Sequence, residues 1–263
     1  MGWIVFFACL LAAFGFFYYQ TTAVRVTEFD YQNPNAPEEP VRAAVLADLH
    51  DMGLENQVMR RLEEINPDVV LIPGDMVVKI TANCKHAQRL LLALAKKYPV
   101  FYSPGNHEKR EEQNPKFLSY LQKVEGAGVC YLKNQTAFFG GMAICGFDYA
   151  DYEAKRLPDD ALRAAFGKKP PFCVLLAHNP FWLSAYGDWG ADLVLSGHVH
   201  GGQIYLPFIG PVLAPGFHFF PKIFAGRYTA KNTTMLVSRG LGVHTVRLRL
   251  FCRPEIVVVN IHR

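Results

Sequence analysis

VRAAVLADLH, residues 41–50, sets the pattern for the whole chain: a short apolar run hands over, at its C-terminal edge, to an aspartate and a histidine. Four further runs end in the same way: DVVLIPGD (68–75), VFYSPGNH (100–107), FCVLLAHN (172–179) and ADLVLSGHVH (191–200). Apolar runs of this length, bounded by Gly, Pro, Asn or Asp, read as buried strands. Between the first two, Leu54, Val58, Met59, Leu62 and Ile65 recur at helical spacing, and CKHAQRLLLALAKKY (84–98) reads as a second amphipathic helix. Such alternation argues for an α/β core with parallel strands. Past residue 129 the runs become strand-rich (GVCYL, TAFFG, GMAICGF, TTMLVS, EIVVVNI). The expected architecture is therefore two mixed β-sheets, the second stacked on the first, with no internal repeat and no internal linker.

In open α/β sheets, ligands bind at the carboxyl edge of the strands. Five of the nine histidines fall in the five tails, and the residue types gathered there are carboxylate, amide and imidazole. A single D-x-H or H-x-H triplet is weak, and a lone histidine at a strand end is ordinarily a hydrogen-bonded core residue. Five such tails together, four with an adjacent Gly or Pro that permits a sharp exit, point to one shared metal centre. Asp48 and His50, two apart on an extended segment, are expected to point to the same side, as are His198 and His200. Asp48, His50, Asp75, Asn106, His178, His198 and His200 make seven ligands. That is too many for one tetrahedral ion and suits two ions sharing a carboxylate, with Asp75, on the middle strand end, as the natural bridge. Mixed N/O ligation fits two divalent ions, Mn, Fe or Zn.

The 263 residues allow one large domain or two small ones, at about 150 residues each. With 51% hydrophobic and 19% charged residues the chain is neither disordered nor a disulfide miniprotein. A net charge of +4, with no block of five like charges, argues against nucleic acid as a partner. The mean hydropathy of +0.07 has a local cause, since Trp3 to Tyr19 (WIVFFACLLAAFGFFYY) is 17 residues without a charge. As a helix that run reaches about 25 Å against a hydrocarbon core of about 30 Å. Trp3 at one end and Tyr18 with Tyr19 at the other resemble an aromatic belt. The expectation is a single-pass transmembrane anchor over 1–20. A cleaved signal peptide is the competing reading, but no Lys or Arg precedes the run and Thr21-Thr22-Ala23 is a poor cleavage site. Arg25 alone leans the globular part toward the cytoplasm and does not fix the side. Residues 21–40, with NPNAPEEP, read as a linker with room for a short edge strand, and 41–263 as the domain. Cys84, Cys130, Cys145, Cys173 and Cys252 lack CxxC spacing and read as buried structural thiols, while Cys9 is in the anchor. Nothing in the sequence fixes an oligomeric state.

In order, the tails match a known pattern: D-x-H, G-D, G-N-H-E, a lone H, then G-H-x-H. From 41 to 263 the chain resembles the calcineurin-like metallophosphoesterases. Within them, SPGNHE (103–108), SGHVHGGQIYLP (196–207), VSRGLG (237–242), RPEIVVV from Arg253 and the N-terminal anchor are similar to the membrane-associated bacterial phosphodiesterases of the UDP-2,3-diacylglucosamine hydrolase kind. The resemblance implies an αββα sandwich in which helices flank the two sheets. It implies that Asp48, His50 and His200 hold one metal, that Asn106, His178 and His198 hold the other, and that Asp75 bridges. It also implies that His107 is catalytic, stabilising the transition state or protonating the leaving oxygen. Relatives often carry G-D-x-x-D, whose last Asp orients that histidine; here Val78 stands in its place.

The implied activity is hydrolysis of a phosphodiester or pyrophosphate bond, plausibly in a lipid-linked substrate, by hydroxide generated at the metals, manganese among them. No Ser, Cys or Lys nucleophile is required, and GxSxG and Walker A patterns are absent. A phosphomonoesterase is the nearest alternative. A non-catalytic scaffold fits less well, because His107 and all seven ligands are present. Arg239 in VSRGLG is either a substrate-orienting cation or a structural ion pair. Glu108, Lys109 and Arg110 read as a solvated helix start, and His86, His218, His244 and His262 receive no role. Seven aromatics between 203 and 228 read first as packing beneath the active-site rim, and second as an apolar rim meeting a bilayer or acyl chain.

Overall fold

The computed structural model describes residues 1–78, 84–152, 154–215, 218–243 and 247–263. Phe217, His244 and the side chain of His218 lie outside what it describes. In chain order the elements begin with α1 (Gly2–Thr22), β1 (Arg25–Gln32), β2 (Val41–Val45), α2 (Glu55–Ile65), β3 (Val69–Ile72), α3 (Lys85–Ala95) and β4 (Val100–Tyr102). Next come α4 (Asn106–Glu111), α5 (Pro115–Gly126), β5 (Val129–Tyr131), β6 (Gln135–Phe139), β7 (Met142–Phe147), α6 (Ala161–Phe166) and β8 (Cys173–Ala177). The chain closes with α7 (Leu183–Trp189), β9 (Leu193–Ser196), β10 (Ile204–Leu206), β11 (Gly210–Ala214), β12 (His218–Phe219), β13 (Gly226–Ala230), β14 (Thr233–Val237) and β15 (Glu255–His262).

The first sheet has the order β1-β15-β2-β3-β4-β5, with β2 to β5 mutually parallel and β15 antiparallel to β2. The second has the order β13-β14-β9-β8-β7-β6, parallel from β14 to β7 and antiparallel at both edges. Period-two alternation stacks them. Ala43 and Val45 of β2, with Val69, Leu71, Val257 and Val259, pack against Ile144, Val174, Leu176 and Leu195 of the second sheet. Ala44, Val70 and Ile72 face the opposite way, onto Val58 and Leu62 of α2 and Leu90 and Leu94 of α3. Leu175, Val194 and Met235 cover the outer face of the second sheet together with Leu162 of α6 and Tyr186 of α7. At about 1.5–3 kcal/mol for each large side chain buried, a one-residue slip of β2 would forfeit both interfaces. The expected αββα sandwich is thus what the chain forms.

The room left for an edge strand in 21–40 is taken by β1, eight residues paired in parallel with β15 at the edge of the first sheet, and the Pro34–Pro40 turn connects it to β2. One region differs from expectation. The aromatic segment forms a small third sheet, β10-β11-β12, rather than ordinary packing: Tyr205, Phe224 and Tyr228 are half-buried, but Phe208, Phe219 and Phe220 are exposed.

Helix α1 is long and apolar enough to cross a membrane, and its apolar window is unburied. Among the described residues, its contacts with the body lie toward its C-terminal end. Phe16 packs edge-on against Phe251 at 5.8 Å, Arg253 sits over the Tyr19 ring at 5.0 Å, and the Thr21 hydroxyl accepts the Arg249 backbone N–H at 3.2 Å.

Candidate metal centre

β2, β3 and β4 of the first sheet and β8 and β9 of the second end side by side, and the loops after them are laced together. The N–H groups of Asp48 and His50 donate to the Gly74 and Asp75 carbonyls at 3.1 and 3.2 Å, and Gly242 N–H donates to the Asp48 carbonyl at 2.6 Å. Within the second sheet, Gly197 N–H donates to the His178 carbonyl at 3.2 Å. All seven residues expected to hold metal meet in this seam. The expected reason for the paired D-x-H and H-x-H geometry is wrong, however. Asp48, His50, Asp75, His198 and His200 are not extended but left-handed, with φ of 51°, 47°, 54°, 77° and 49°. A non-glycine residue in that region costs about 1–2 kcal/mol, so the surrounding contacts must hold five such conformations at one site.

Two glycines make room for the carboxylates. A Cβ on Gly105 would lie 2.2 Å from Asp75 Oδ1, and one on Gly197 would lie 2.4 Å from Asp48 Oδ2. In return the Asp75 carboxylate accepts the His107 backbone N–H at 2.9 Å, and Asp48 accepts that of His198 at 3.0 and 3.1 Å.

Around Asp48 Oδ1 stand His200 Nε2 at 3.6 Å, His178 Nε2 at 3.8 Å and His50 Nε2 at 3.9 Å. Asp75 Oδ2 lies 3.0 Å from His178 Nε2, 3.9 Å from His50 Nε2 and 4.0 Å from His107 Nε2. His50 and His200 face each other, Nε2 to Nε2, at 3.0 Å, and His198 Nδ1 is 2.9 Å from Asn106 Oδ1. Three groups result, each with ligand atoms within 4.8 Å of one another: Asp48, His50 and His200; His50, Asp75 and His107; Asp75, His178 and His198. Asp75 belongs to two of them.

The outer ring nitrogens fix the tautomers. His178 Nδ1 donates to the Pro73 carbonyl at 2.8 Å and His200 Nδ1 to the Gly242 carbonyl at 3.2 Å, which turns each Nε2 inward, as metal-ligating histidines are held. His178 Nε2, though 3.0 Å from Asp75, has no aligned hydrogen bond. A buried nitrogen and carboxylate that converge without bonding fit a cation between them.

Electrostatics agree. Burial, reinforced by Asp75 but opposed by His178, pushes the Asp48 carboxyl up to about 7. Burial also opposes ionisation of Asp75, but His178, His107 and His50 hold its carboxyl well below the usual range. His178 is pulled up to about 9 against its burial by Asp75, whereas burial and His178 push His198 down to about 3. Burial and His50 keep His200 neutral. The proton on His178 and, below about pH 7, the one on Asp48 thus occupy places that divalent cations would take.

A cavity of about 670 Å³ opens over the cluster, with His107, Arg110, Tyr152, Lys155 and Asn179 in its wall. His107 is buried, its ring edge-on to His50 at 4.7 Å. Val78 is exposed.

The charged run after His107 divides three ways instead of forming one solvated face. Arg110 lines the cavity and Lys109 pairs with Glu112 and Asp148 at 3.0 and 3.3 Å. Glu108 is fully buried and accepts four donors: the N–H groups of Asp75, Val77 and Gly105 at 2.9, 3.1 and 2.8 Å, and the Tyr102 hydroxyl at 2.6 Å. Its place three residues after the helix-capping Gly105 is the signal that reveals it. Arg239 is no part of the cavity wall. Its guanidinium is held by buried Glu255 at 2.6 Å, the structural of its two readings. Sequence also gave no sign of Arg249, fully buried, which donates to the carbonyls of His200, Arg239, Gly240, Gly242 and Cys252 and so ties the His200 turn to the loop over Asp48.

Residues 41–202 match the calcineurin-like phosphoesterase family model. The chain is 31% identical over 246 residues to an uncharacterized metallophosphoesterase of Campylobacter jejuni, covering 90% of this chain and 63% of that protein. It is 29% identical to the phosphodiesterase YaeI of Escherichia coli, covering 84% and 82% of the two chains. The chain spans about 60% of the length of the Helicobacter and Campylobacter relatives it matches. The crystal structure of TT1561 of Thermus thermophilus superposes with a TM-score of 0.50 at 13% identity, over 77% of this chain and 91% of that one, a likeness of fold. A seam of aspartates and histidines at the carboxyl edges of two stacked sheets, matched in sequence over most of its span, makes this chain a member of the calcineurin-like phosphoesterase family.

Proposed function

We propose that the chain hydrolyses a phosphodiester or pyrophosphate bond with two divalent ions, Mn, Fe or Zn. Asp48, His50 and His200 would hold one, Asn106, His178 and His198 the other, with Asp75 shared. The observation that carries this reading is the convergence of seven side chains from five strand ends beneath one cavity. Bound there, the ions would activate water for attack and neutralise charge on the phosphoryl oxygens. The chain's own residues supply the rest. Arg110 and Lys155 set positive charge in the cavity wall where a phosphoryl group enters. His107, held through its backbone by Asp75, faces the cavity and is placed to deliver a proton to the leaving oxygen. Val78 cannot orient that imidazole as an acid would, so His107 assists turnover without being indispensable.

The membrane enters through α1, whose apolar length supports a single-pass anchor, and through a cavity wall that includes Ala214, Pro215 and Pro221 beside the polar cluster. Both favour a phosphoester carried on a lipid. The test is hydrolysis of bis-p-nitrophenyl phosphate against p-nitrophenyl phosphate by the full chain in detergent micelles, with Mn, Fe and Zn added separately. Diester cleavage that disappears with chelator and with Asp75→Asn is expected. Preference for the monoester would assign the alternative, and no turnover with any metal would leave a binding scaffold.

A further inference from the structure

We infer that the β10-β11-β12 sheet is a second membrane contact, which seats the mouth of the cavity on the surface of an anionic bilayer. The inference rests on reading α1 as lying in that bilayer. After α1, nine large apolar side chains are exposed among the described residues, and five of them, Phe208, Ile209, Phe219, Phe220 and Phe251, belong to this sheet or its attachment. Phe208 is wholly exposed, and Ile209, Phe219 and Phe220 are about two-thirds exposed. Isolated exposed apolar residues are ordinary, but a cluster of aromatics on one small sheet is not.

The occupant follows from what the sheet touches. β10 is bridged to the chain at Leu250, through Ile204 and a Tyr205 N–H donated to the Leu250 carbonyl at 2.9 Å. The next residue, Phe251, packs against Phe16 of α1. At its other end the sheet runs into the cavity wall, through Ala214 and Pro215 after β11 and Pro221 directly after Phe220. One continuous surface therefore leads from the apolar helix to the cavity mouth.

Charge points the same way. Between Asp192 and Glu255 the sequence has no acidic residue and seven basic ones. Four of the seven are engaged: Arg227 with Asp30, Lys231 with Asp188, Arg239 with Glu255, and Arg249 in its cage of carbonyls. Lys222, two residues beyond Phe220, and Arg247 are exposed, and Arg253 stands over Tyr19 at the end of α1. Apolar side chains flanked by cations, with no acid among them, are the composition that meets an anionic lipid surface.

The test uses the full chain in phosphatidylcholine vesicles containing about 30% phosphatidylglycerol. An environment-sensitive fluorophore is placed at Phe208→Cys, Phe219→Cys or, as control, Phe138→Cys. Phe138 is equally exposed but stands on β6, the far edge strand of the second sheet. Cys9→Ser and Cys130→Ser clear the background, the remaining cysteines being buried. Brominated lipid is expected to quench the labels at 208 and 219 at least about threefold more than the label at 138. Vesicle flotation with equal quenching at all three sites overturns the inference and leaves α1 as an anchor. A chain that does not float overturns both. A rim label that is blue-shifted yet unquenched, increasingly so at higher protein density, assigns the face to a second copy and overturns it as well. The measurement reads no turnover, so its outcome is independent of the hydrolase reading.

Discussion

The seam at the strand ends and the small sheet beside it invert the usual arrangement in opposite senses. In the seam, two carboxylates, four imidazoles, a carboxylate in a cage of donors and a guanidinium are buried, and a fifth imidazole, His198, is half-buried. On the small sheet, phenylalanines stand in the open. Buried polar groups are retained where donors, acceptors or a bound ion match them, and a cluster of exposed aromatics on one small sheet is not explained by packing. The first region is over-determined by contacts and the second is nearly free of them. Substitutions should therefore damage the two in different ways.

The widest separation is expected from the shared carboxylate. Asp75→Asn should lower phosphodiester turnover about a thousandfold while the protein remains folded, because the amide keeps the shape and loses the charge. Turnover within a fewfold of the parent would break the claim that Asp75 joins two groups of ligands. Arg249→Met should cost about 3 kcal/mol or more, read by denaturant unfolding, since five carbonyls lose their donor in a buried place. Glu108→Gln should cost about 2–3 kcal/mol, because the new amide hydrogens meet donors at an oxygen that now accepts two. A Tm equal to that of the parent would show that this cage is not specific for a carboxylate.

Metal loading sharpens the same contrast through pH. Asp48, raised to about 7, carries a proton below that pH, and His178, raised to about 9, carries one throughout the neutral range. An incoming cation must displace both below pH 7 and only the His178 proton between 7 and 9. Affinity for zinc should thus rise with pH, about tenfold per unit for each proton displaced, and more steeply below pH 7 than above it. Titration calorimetry of metal-stripped protein in buffers of different ionisation heat would count those protons. The smallest effect is expected on the outer sheet, where Phe219→Ser should change stability by no more than about 0.5 kcal/mol.

What the sequence made legible follows the same division. An apolar run handing over to Asp, Asn or His is a local signal, so the strand ends, the convergence of the seven candidate ligands and both sheets could be read directly. The left-handed backbone at Asp48 and His50 could not, because a non-glycine residue adopts it only when distant contacts, such as Gly242 N–H on the Asp48 carbonyl, compel it. Glu108 was masked by its neighbours Lys109 and Arg110, although its spacing from Gly105 was there to be read. Helix α5 also had a usable signal: Asn114 caps it, accepting the Lys116 N–H at 3.0 Å, Pro115 follows at its first position, and Phe117, Tyr120 and Val124 keep helical spacing. Arg249 sits in an unremarkable RLRL, and only tertiary structure reveals that its five donors bind scattered carbonyls.

The Thr21 hydroxyl, near the end of α1, holds the backbone of Arg249, whose guanidinium in turn holds the carbonyl of His200. Two hydrogen bonds thus separate the hydrophobic helix from a histidine of the proposed metal centre. A proteolytic cut at Ala23 would unfasten the outer end of that latch. Soluble truncations beginning after Ala23 should be expected to differ from the intact protein in how firmly they keep their metal.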